Sequence, residues 1–215
     1  SGAAIDEPAV RVVEHALGSP EIVGSPERIV ALSEEFLLAD LLAFGITPVA
    51  STSNNEEFFP GIDPAQVDGV EVLFTPSFSI EELAGLEPDL ILGYPGIFDA
   101  IPGGYEIISD LAPTVAVGQD GDDWRTQLRA IGDVFDDSGT AETLIAEYEA
   151  AYEAAAASLD GQTLSVLAIF AGPFIRAYTT GDHRVMSVAI ELGAELVPSD
   201  GDGADAAGRV VISLE

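Results

Sequence analysis

The sequence predicts an α/β fold in two lobes, each a mostly parallel sheet flanked by helices, joined by a single long helix, with the second lobe incomplete. Three observations carry that expectation. Short apolar strand-like runs alternate with helix-like runs from residue 28 onward, an unbroken helical pattern then fills residues 140 to 159, and the alternation restarts beyond it.

Each element has a local reason. Val10 to Ala16 and Glu21 to Val23, around Gly18-Ser19-Pro20, read as a short hairpin. Arg28 to Leu32 reads as a buried strand. Ser33 is placed to cap a helix with Glu34 and Glu35 in its first turn, and Gly45 stops the run after Phe44. Ile46 to Ala50 is the next expected strand, followed by a long loop from Ser51 to Pro64, rich in Ser, Asn and Pro. Val70 to Phe74, a helix from Ser79 to Leu86, Asp89 to Gly93 and Thr114 to Val117 continue the alternation. Trp124, Leu128, Ile131 and Phe135 then share one helical stripe.

The next helix keeps that period through Ala141, Leu144, Ile145, Tyr148, Tyr152, Ala155 and Leu159, from a Thr140 cap to a Gly161 stop. At 1.5 Å per residue it is about 28 Å long, enough to cross a small domain. Beyond it come strands at Leu164 to Ala171, Phe174 to Thr179, Glu195 to Val197 and Arg209 to Ile212, with a helix from Arg184 to Leu192. The expected boundaries are 1–138 for the N-terminal lobe, 139–160 for the interlobe helix and 161–215 for the partial C-terminal lobe. A weak internal repeat fits this division. Phe78-Ser-Ile-Glu81 matches Ile212-Ser-Leu-Glu215, and Leu42-Ala-Phe-Gly-Ile46 has a counterpart at Ile190-Glu-Leu-Gly-Ala194. Ser213-Leu-Glu215 reads as the start of a helix, and too few elements remain to cover a second sheet, so truncation is expected.

Composition narrows the chemistry. The chain of 215 residues carries a formal charge of −31, with seven Arg and no Lys, so it lacks the basic footprint that a phosphate backbone or an anionic membrane requires. Nucleic acid is excluded as a partner. Hydrophobic residues at 47% and a mean hydropathy of +0.30 still permit a core. The absence of Cys removes disulfides, thiolate nucleophiles and Cys-based metal sites. No apolar run reaches the ~20 residues of a spanning helix, and the first residues lack the features of a signal segment, so none is expected within this chain.

Catalytic and metal patterns are missing. His15 and His183 sit on the hairpin and in a loop, too few for a bare-metal site. Asp200-Gly-Asp-Gly-Ala-Asp205 lacks the EF-hand spacing and its closing Glu and reads as a solvated loop. Gly93-Tyr-Pro-Gly96 and Gly103-Gly104 do not have the spacing of a phosphate-binding loop, and no nucleophile with a base at hand occurs. The expectation is a protein that is not an enzyme, with no metal site and no intrinsic cofactor.

Val13-Glu-His-Ala-Leu-Gly-Ser-Pro-Glu-Ile, Pro26-Glu-Arg-Ile-Val-Ala-Leu and Leu41-Leu-Ala-Phe-Gly-Ile-Thr-Pro-Val carry a family resemblance. So do Ser79-Ile-Glu-Glu-Leu-Ala-Gly-Leu-Glu-Pro-Asp-Leu-Ile-Leu-Gly93, Phe174-Ile-Arg-Ala-Tyr178 and the terminal Ile-Ser-Leu-Glu. They resemble the substrate-binding proteins of ABC importers for ferric siderophores, haem and cobalamin, the ferric-siderophore binders most closely. The resemblance implies two Rossmann-like lobes bridged by one long helix, a ligand in the cleft between them, and little hinge motion. It also implies a second lobe longer than this chain contains. The implied ligand is a ferric siderophore, the implied partner an ABC permease. The implied location is extracytoplasmic, periplasmic or lipid-anchored at the cell surface, and a monomer is expected.

The resemblance also suggests roles for residues. An acid on each lobe, here Glu81 and Glu215, would meet permease arginines. The other reading is that both acids serve a helix N-terminus. Ser79 and Glu82 form a capping-box pattern, which leaves Glu81 facing outward. Ligands of open α/β sheets bind at the carboxyl ends of the strands, where the loops hold Phe58, Phe59, Phe78, Tyr94, Phe98 and Trp124 and, in the second lobe, Phe170, Phe174 and Tyr178. Any one of these rings can equally be core. Arg125 and Arg176 are the candidate charge partners for the chelate, and Arg125, a cation at a helix start, calls for a compensating acid. So few cations suit a neutral or cationic hydroxamate complex better than an anionic catecholate. A haem or cobalamin binder of the same architecture, with Tyr94 or Tyr178 as a haem ligand, and a chelatase-like enzyme are the alternatives.

Overall fold

The computed structural model describes residues 9–75, 77–101, 103–118, 123–159, 163–169, 174–178, 190, 192–196 and 209–213. The chain divides into two compact units, Ser1–Ile145 and Ala146–Glu215.

Unit 1 is built on five parallel strands, β3 (Ile29–Leu32), β4 (Ala50–Ser53), β5 (Glu71–Phe74), β6 (Leu90–Gly93) and β7 (Thr114–Ala116), in the spatial order β5-β4-β3-β6-β7. The chain winds outward from β3 to β5, returns to the other side of β3, and continues through β6 to β7. The direction of winding therefore reverses between β3 and β6. Ahead of this sheet, β1 (Val10–Val12) and β2 (Glu21–Val23) pair antiparallel as the expected hairpin.

Both faces of the sheet are covered, and β3 and β6 at its centre are apolar throughout. Successive side chains of a strand point to opposite faces. Val30, Leu32 and Ile91 join one core with Leu73, Leu83, Phe98 and Ile108. Ile29, Ala31, Leu90 and Leu92 join the other with Leu37, Leu41, Val115, Ile131 and Val134. Burying each of these larger aliphatic side chains stabilises the fold by about 1.5–3 kcal/mol.

The helices are α1 (Glu34–Ala43), α2 (Ile80–Gly85), α3 (Pro95–Ala100), α4 (Gly104–Ser109), α5 (Trp124–Phe135) and α6 (Ser138–Leu159). α1 ends as Gly45 predicts. With Gly45 at φ +74°, its N–H bonds Leu42 O and the N–H of Ile46 bonds Leu41 O, which satisfies two terminal carbonyls. α2 opens with the predicted capping box, in which Ser79 Oγ accepts the Glu82 N–H and Glu82 Oε2 accepts the Ser79 N–H. At α5, the Asp123 carboxylate accepts the Thr126 N–H.

Four expectations change. The strand expected at Ile46 to Ala50 lies later, at Ala50–Ser53, because Ser51, Thr52 and Ser53 are fully buried in it with their hydroxyls hydrogen-bonded. A polar strand resembles a loop in sequence. Ser33 stands at the N-cap of α1 but makes no side-chain capping bond; its own N–H donates instead to Thr52 Oγ1 at 2.9 Å. The long helix starts before Thr140, since Asp137 Oδ1 accepts the Thr140 N–H at 3.0 Å and thereby caps a helix beginning at Ser138. Finally, two six-residue helices, α3 and α4, and a 3₁₀ turn at Pro64–Gln66 occupy stretches whose Pro and Gly content reads as loop.

In unit 2, β8 (Thr163–Leu164) and β11 (Glu195–Leu196) pair in parallel, while β9 (Val166–Ile169), β10 (Phe174–Tyr178) and β12 (Arg209–Ser213) form an antiparallel sheet in the order β12-β10-β9. The parallel expectation therefore holds for all of the unit 1 sheet and for β8–β11. The 170–173 link between β9 and β10 is far shorter than a parallel crossover needs, so antiparallel pairing follows there. Most of the helix expected at Arg184 to Leu192, and the helix start expected at Leu214 and Glu215, lie outside the described residues.

Candidate functional site

The reversal of winding between β3 and β6 is where an open α/β sheet binds ligands, in the crevice beyond the carboxyl ends of the strands. Gly93 closes β6 at that point. A Cβ there would lie 2.8 Å from Leu32 O of β3 and 2.8 Å from the Phe98 ring, so only glycine lets the strand end and α3 approach so closely.

Two phenyl rings stand out on this rim. Phe58, after β4, is 52% exposed. Its loop is tied to the buried end of β4. Ser53 Oγ donates to Phe58 O at 2.9 Å and accepts the Asn55 N–H at 3.0 Å, while Asn55 Oδ1 accepts the N–H groups of Glu57 and Phe58. Phe36, in the first turn of α1 after β3, is 48% exposed. Phe36 is not among the residues expected at the site. Its signal was available: Phe36, Leu37 and Leu38 are consecutive, a helix stripe cannot bury all three, and Leu37 and Leu38 are the two fully buried.

Trp124 begins α5, beyond β7. The Arg125 guanidinium lies over its ring, 4.5 Å from the centroid, and Arg125 Nη1 is 4.0 Å from Asp123 Oδ2. The acid called for beside a cation at a helix start is therefore Asp123. Its carboxyl is held below the usual carboxylate range, first by the hydrogen bond from the Thr126 N–H and further by the Arg125 charge. Tyr94 caps α3 by position, packs against the α1–α5 core, and donates its hydroxyl to Asp40 Oδ2 at 3.1 Å.

Other expected residues sit elsewhere. Phe78 is half-buried against the first core, so it backs the rim more than it lines it. Phe59 and Phe98, candidates for the wall that could also be core, are core residues at 3% and 1% exposure, with Phe98 on α3 packed into the first core. Arg176 and Tyr178 lie in unit 2 on β10, in register with Ala168 and Val166. Phe174 is also on β10, while Phe170 and Glu215 fall outside the described residues. Glu81 is exposed in the first turn of α2, and its neighbour Glu82 closes the cap.

The remaining arginines of unit 1 serve the backbone or the surface. Arg11 donates to Val134 O and Gly24 O, both at 2.9 Å. Arg28 donates to Leu86 O and Glu87 O at the end of α2, and Asp89 accepts the N–H groups of Glu27 and Arg28. Arg129 pairs with Glu142 at 2.7 Å on the surface. Among the described residues no group of three or more His, Cys, Asp or Glu could hold a metal, and no helix is long and apolar enough to cross a membrane. A cavity of about 220 Å³ lies between the hairpin, β7 and α5, with Val13, His15, Val117, Ala130 and Asp133 among its walls.

The sequence profile of a family described as periplasmic binding protein matches residues 29–203. The chain belongs to that family. A relative from Bacillus subtilis (strain 168), named Probable siderophore-binding lipoprotein YfiY, is 29% identical over 154 residues, which cover 69% of this chain and 46% of the relative. The chain thus spans about half the length of that curated relative. Staphylococcus aureus SirA, solved in complex with staphyloferrin B, superposes with a TM-score of 0.70 at 21% identity, over 87% of this chain and 64% of that one. A periplasmic solute binding protein from Mycobacterium smegmatis str. MC2 155 gives 0.69 at 26% identity, over 87% and 69%. The α/β fold of this periplasmic binding protein family is accordingly the fold of the chain.

Proposed function

We propose that the chain is part of an extracytoplasmic solute-binding protein that captures an iron(III)–siderophore complex and delivers it to an ABC permease. The observation that carries the reading is the rim of unit 1, where Phe36 and Phe58 are held half in solvent beside the point where the winding reverses. A chelate is bulky and apolar at its periphery, so exposed rings on a rigid strand end suit it, and their burial drives capture. Trp124 and Arg125 extend the rim, and Arg176 and Tyr178 of β10 are the ligand candidates on unit 2. Phe78 and Tyr94 support it from behind. The family match and the siderophore named for the B. subtilis relative favour this ligand class. That relative is also named a lipoprotein, which favours lipid anchoring at the cell surface.

Arg125 reaches a ligand with its charge already shared with Asp123 and its face on Trp124. The rim therefore suits a neutral or cationic hydroxamate chelate better than a polyanionic catecholate. Tyr94 has its hydroxyl on Asp40, which weakens its case as a haem ligand. Glu81, exposed and outside the cap, is the unit 1 contact for permease arginines, with Glu215 its counterpart.

Trp124 is the single tryptophan, so its fluorescence reports ligand directly. Titration of the full-length protein with ferric hydroxamates, ferric catecholates, haem and cobalamin is expected to give saturable quenching by a ferric hydroxamate. No quenching by any of them would reject the reading. Reversing Glu81 and Glu215 to Arg is expected to abolish uptake and spare binding; undiminished uptake would remove the docking role.

A further inference from the structure

Among the described residues β7 is an edge strand of the unit 1 sheet, pairing only with β6. Its Ile91-facing and Gly93-facing groups bond β6, which leaves the Ala116 N–H and the Thr114 carbonyl directed to the outer edge. An edge left open in this way is a template for unwanted pairing, and proteins normally cover it. Here two side chains take the place of a strand. Ala116 N–H donates to His15 Nδ1 at 3.3 Å, and Tyr105 of α4 donates its hydroxyl to Thr114 O at 2.9 Å.

His15 also holds the hairpin tip together. Its Nδ1 accepts the Leu17 N–H at 3.2 Å, and its backbone exchanges bonds with Gly18 at 3.0 and 3.3 Å. Its Nε2 lies 3.3 Å from the Tyr105 oxygen, and the two rings meet edge to face with centroids 5.5 Å apart. Tyr105 gives its proton to Thr114, so Nε2 must donate to Tyr105. The network therefore assigns the tautomer with hydrogen on Nε2 and a lone pair on Nδ1. That lone pair receives two backbone N–H groups from two different elements.

We propose that His15 is a proton-operated latch, which while neutral holds the hairpin tip against the outer edge of β7 and when protonated lets the tip go. A proton on Nδ1 would confront both N–H donors, so the Leu17 and Ala116 bonds and the imidazolium are mutually exclusive. Burial, which disfavours the charged ring, already pushes His15 below the ordinary histidine value; the backbone at Thr114 opposes this more weakly. The other titratable groups on the packed elements are Arg11, Glu14 and the exposed Glu21 of the hairpin, Tyr105 and Glu106 of α4, and Asp133, Arg125 and Arg129 of α5, with Arg125 beside Asp123 and Arg129 paired with Glu142. Glu14, Glu106 and Asp133 are exposed, where solvent screens them. Arg11 is bound to two carbonyls. Burial pushes the Tyr105 phenol up, so it stays neutral throughout.

The sign follows. With a folded value below the unfolded one, the latch is fully closed above about pH 6.5 and loosens as pH falls from there toward the folded value. The test is amide exchange by NMR on the full chain, corrected for intrinsic rates, between about pH 7.5 and about pH 5. Ala116 and Leu17 are expected to lose about tenfold or more in protection together, while Val117, which donates to Gly93 O inside the β6–β7 ladder, keeps its own. His15→Asn offers an acceptor that cannot titrate and is expected to give protection that does not change with pH. Unchanged protection of Ala116 at the acid end would overturn the latch. So would a loss shared equally by Val117, which is global unfolding, or the same loss in His15→Asn. Should that variant not fold, the comparison of Ala116 with Val117 in the natural chain decides alone.

Discussion

At the amino end of the parallel sheet, charged side chains satisfy the backbone; at its carboxyl end, aromatic rings stand half in solvent. Arg28, at the start of β3, reaches the last carbonyls of α2, and Asp89, at the start of β6, receives the N–H groups of Glu27 and Arg28. Beyond the opposite ends of β3 and β4, Phe36 and Phe58 expose about half of their surface. One end holds the strands in register and the other presents apolar surface. The difference is that between charged side chains spent on the backbone and rings left half exposed.

Gly93 lies at the carboxyl end yet belongs to the packing, and it gives the largest expected effect. Gly93→Ala places a Cβ against Leu32 O and Phe98, and destabilisation of about 1–3 kcal/mol is expected from overpacking. Urea unfolding measures it, and a midpoint equal to that of the natural chain would show that the two ends are less distinct than the packing implies. Arg28→Ala comes next. It strips the end of α2 of its donor, and a loss of about 1–2 kcal/mol is expected, with chelate affinity unchanged because the change lies at the far end of the strands.

Phe36→Ala and Phe58→Ala reverse that pattern. Neither ring is buried, so stability is expected to move by no more than about 0.5 kcal/mol. Affinity for a ferric hydroxamate is expected to fall about tenfold in each, as for an aromatic contact at an interface. Trp124 quenching reads the affinity and urea the stability. A variant that loses stability without losing affinity would move its ring from the rim to the core.

The contrast also explains which parts were legible. Pro26-Glu-Arg28 and Glu87-Pro-Asp89, which lie in two of the segments that carry the resemblance, clasp each other at the amino end. Strands β3 and β6 announce themselves because they are apolar on both faces, α2 through its capping box and α5 through its apolar stripe. Strand β4 is hidden because its hydroxyls are satisfied by the backbone of neighbouring segments, which a one-dimensional pattern does not display. At the candidate site, Trp124 with Arg125 was legible from position, and so was the need for an acid, met by Asp123. Phe59 and Phe98 prove to be core, and nothing in the linear pattern separates them from the exposed Phe58. Phe36 was missed because, inside an apolar helix run, an outward ring looks like its inward neighbours.

Asp123 stands where the two kinds of residue meet, and it gives the smallest effect. It caps α5 through the Thr126 N–H and steadies Arg125 over Trp124. Asp123→Ala is expected to cost about 0.5–1 kcal/mol as a lost cap, while Asp123→Asn keeps the acceptor and costs less. The pH dependence separates cap from charge. The folded value of this carboxyl is depressed, so its contribution is present above about pH 3.9, the ordinary aspartate value, and is lost as pH falls through the lower folded value. Asp123→Asn removes that acid-side slope. Thermal melts of the natural chain and of Asp123→Asn across that range are expected to converge as the carboxyl protonates. Curves that stay parallel would mean that the hydrogen bond alone, and not the carboxylate charge beside Arg125, accounts for the residue's contribution.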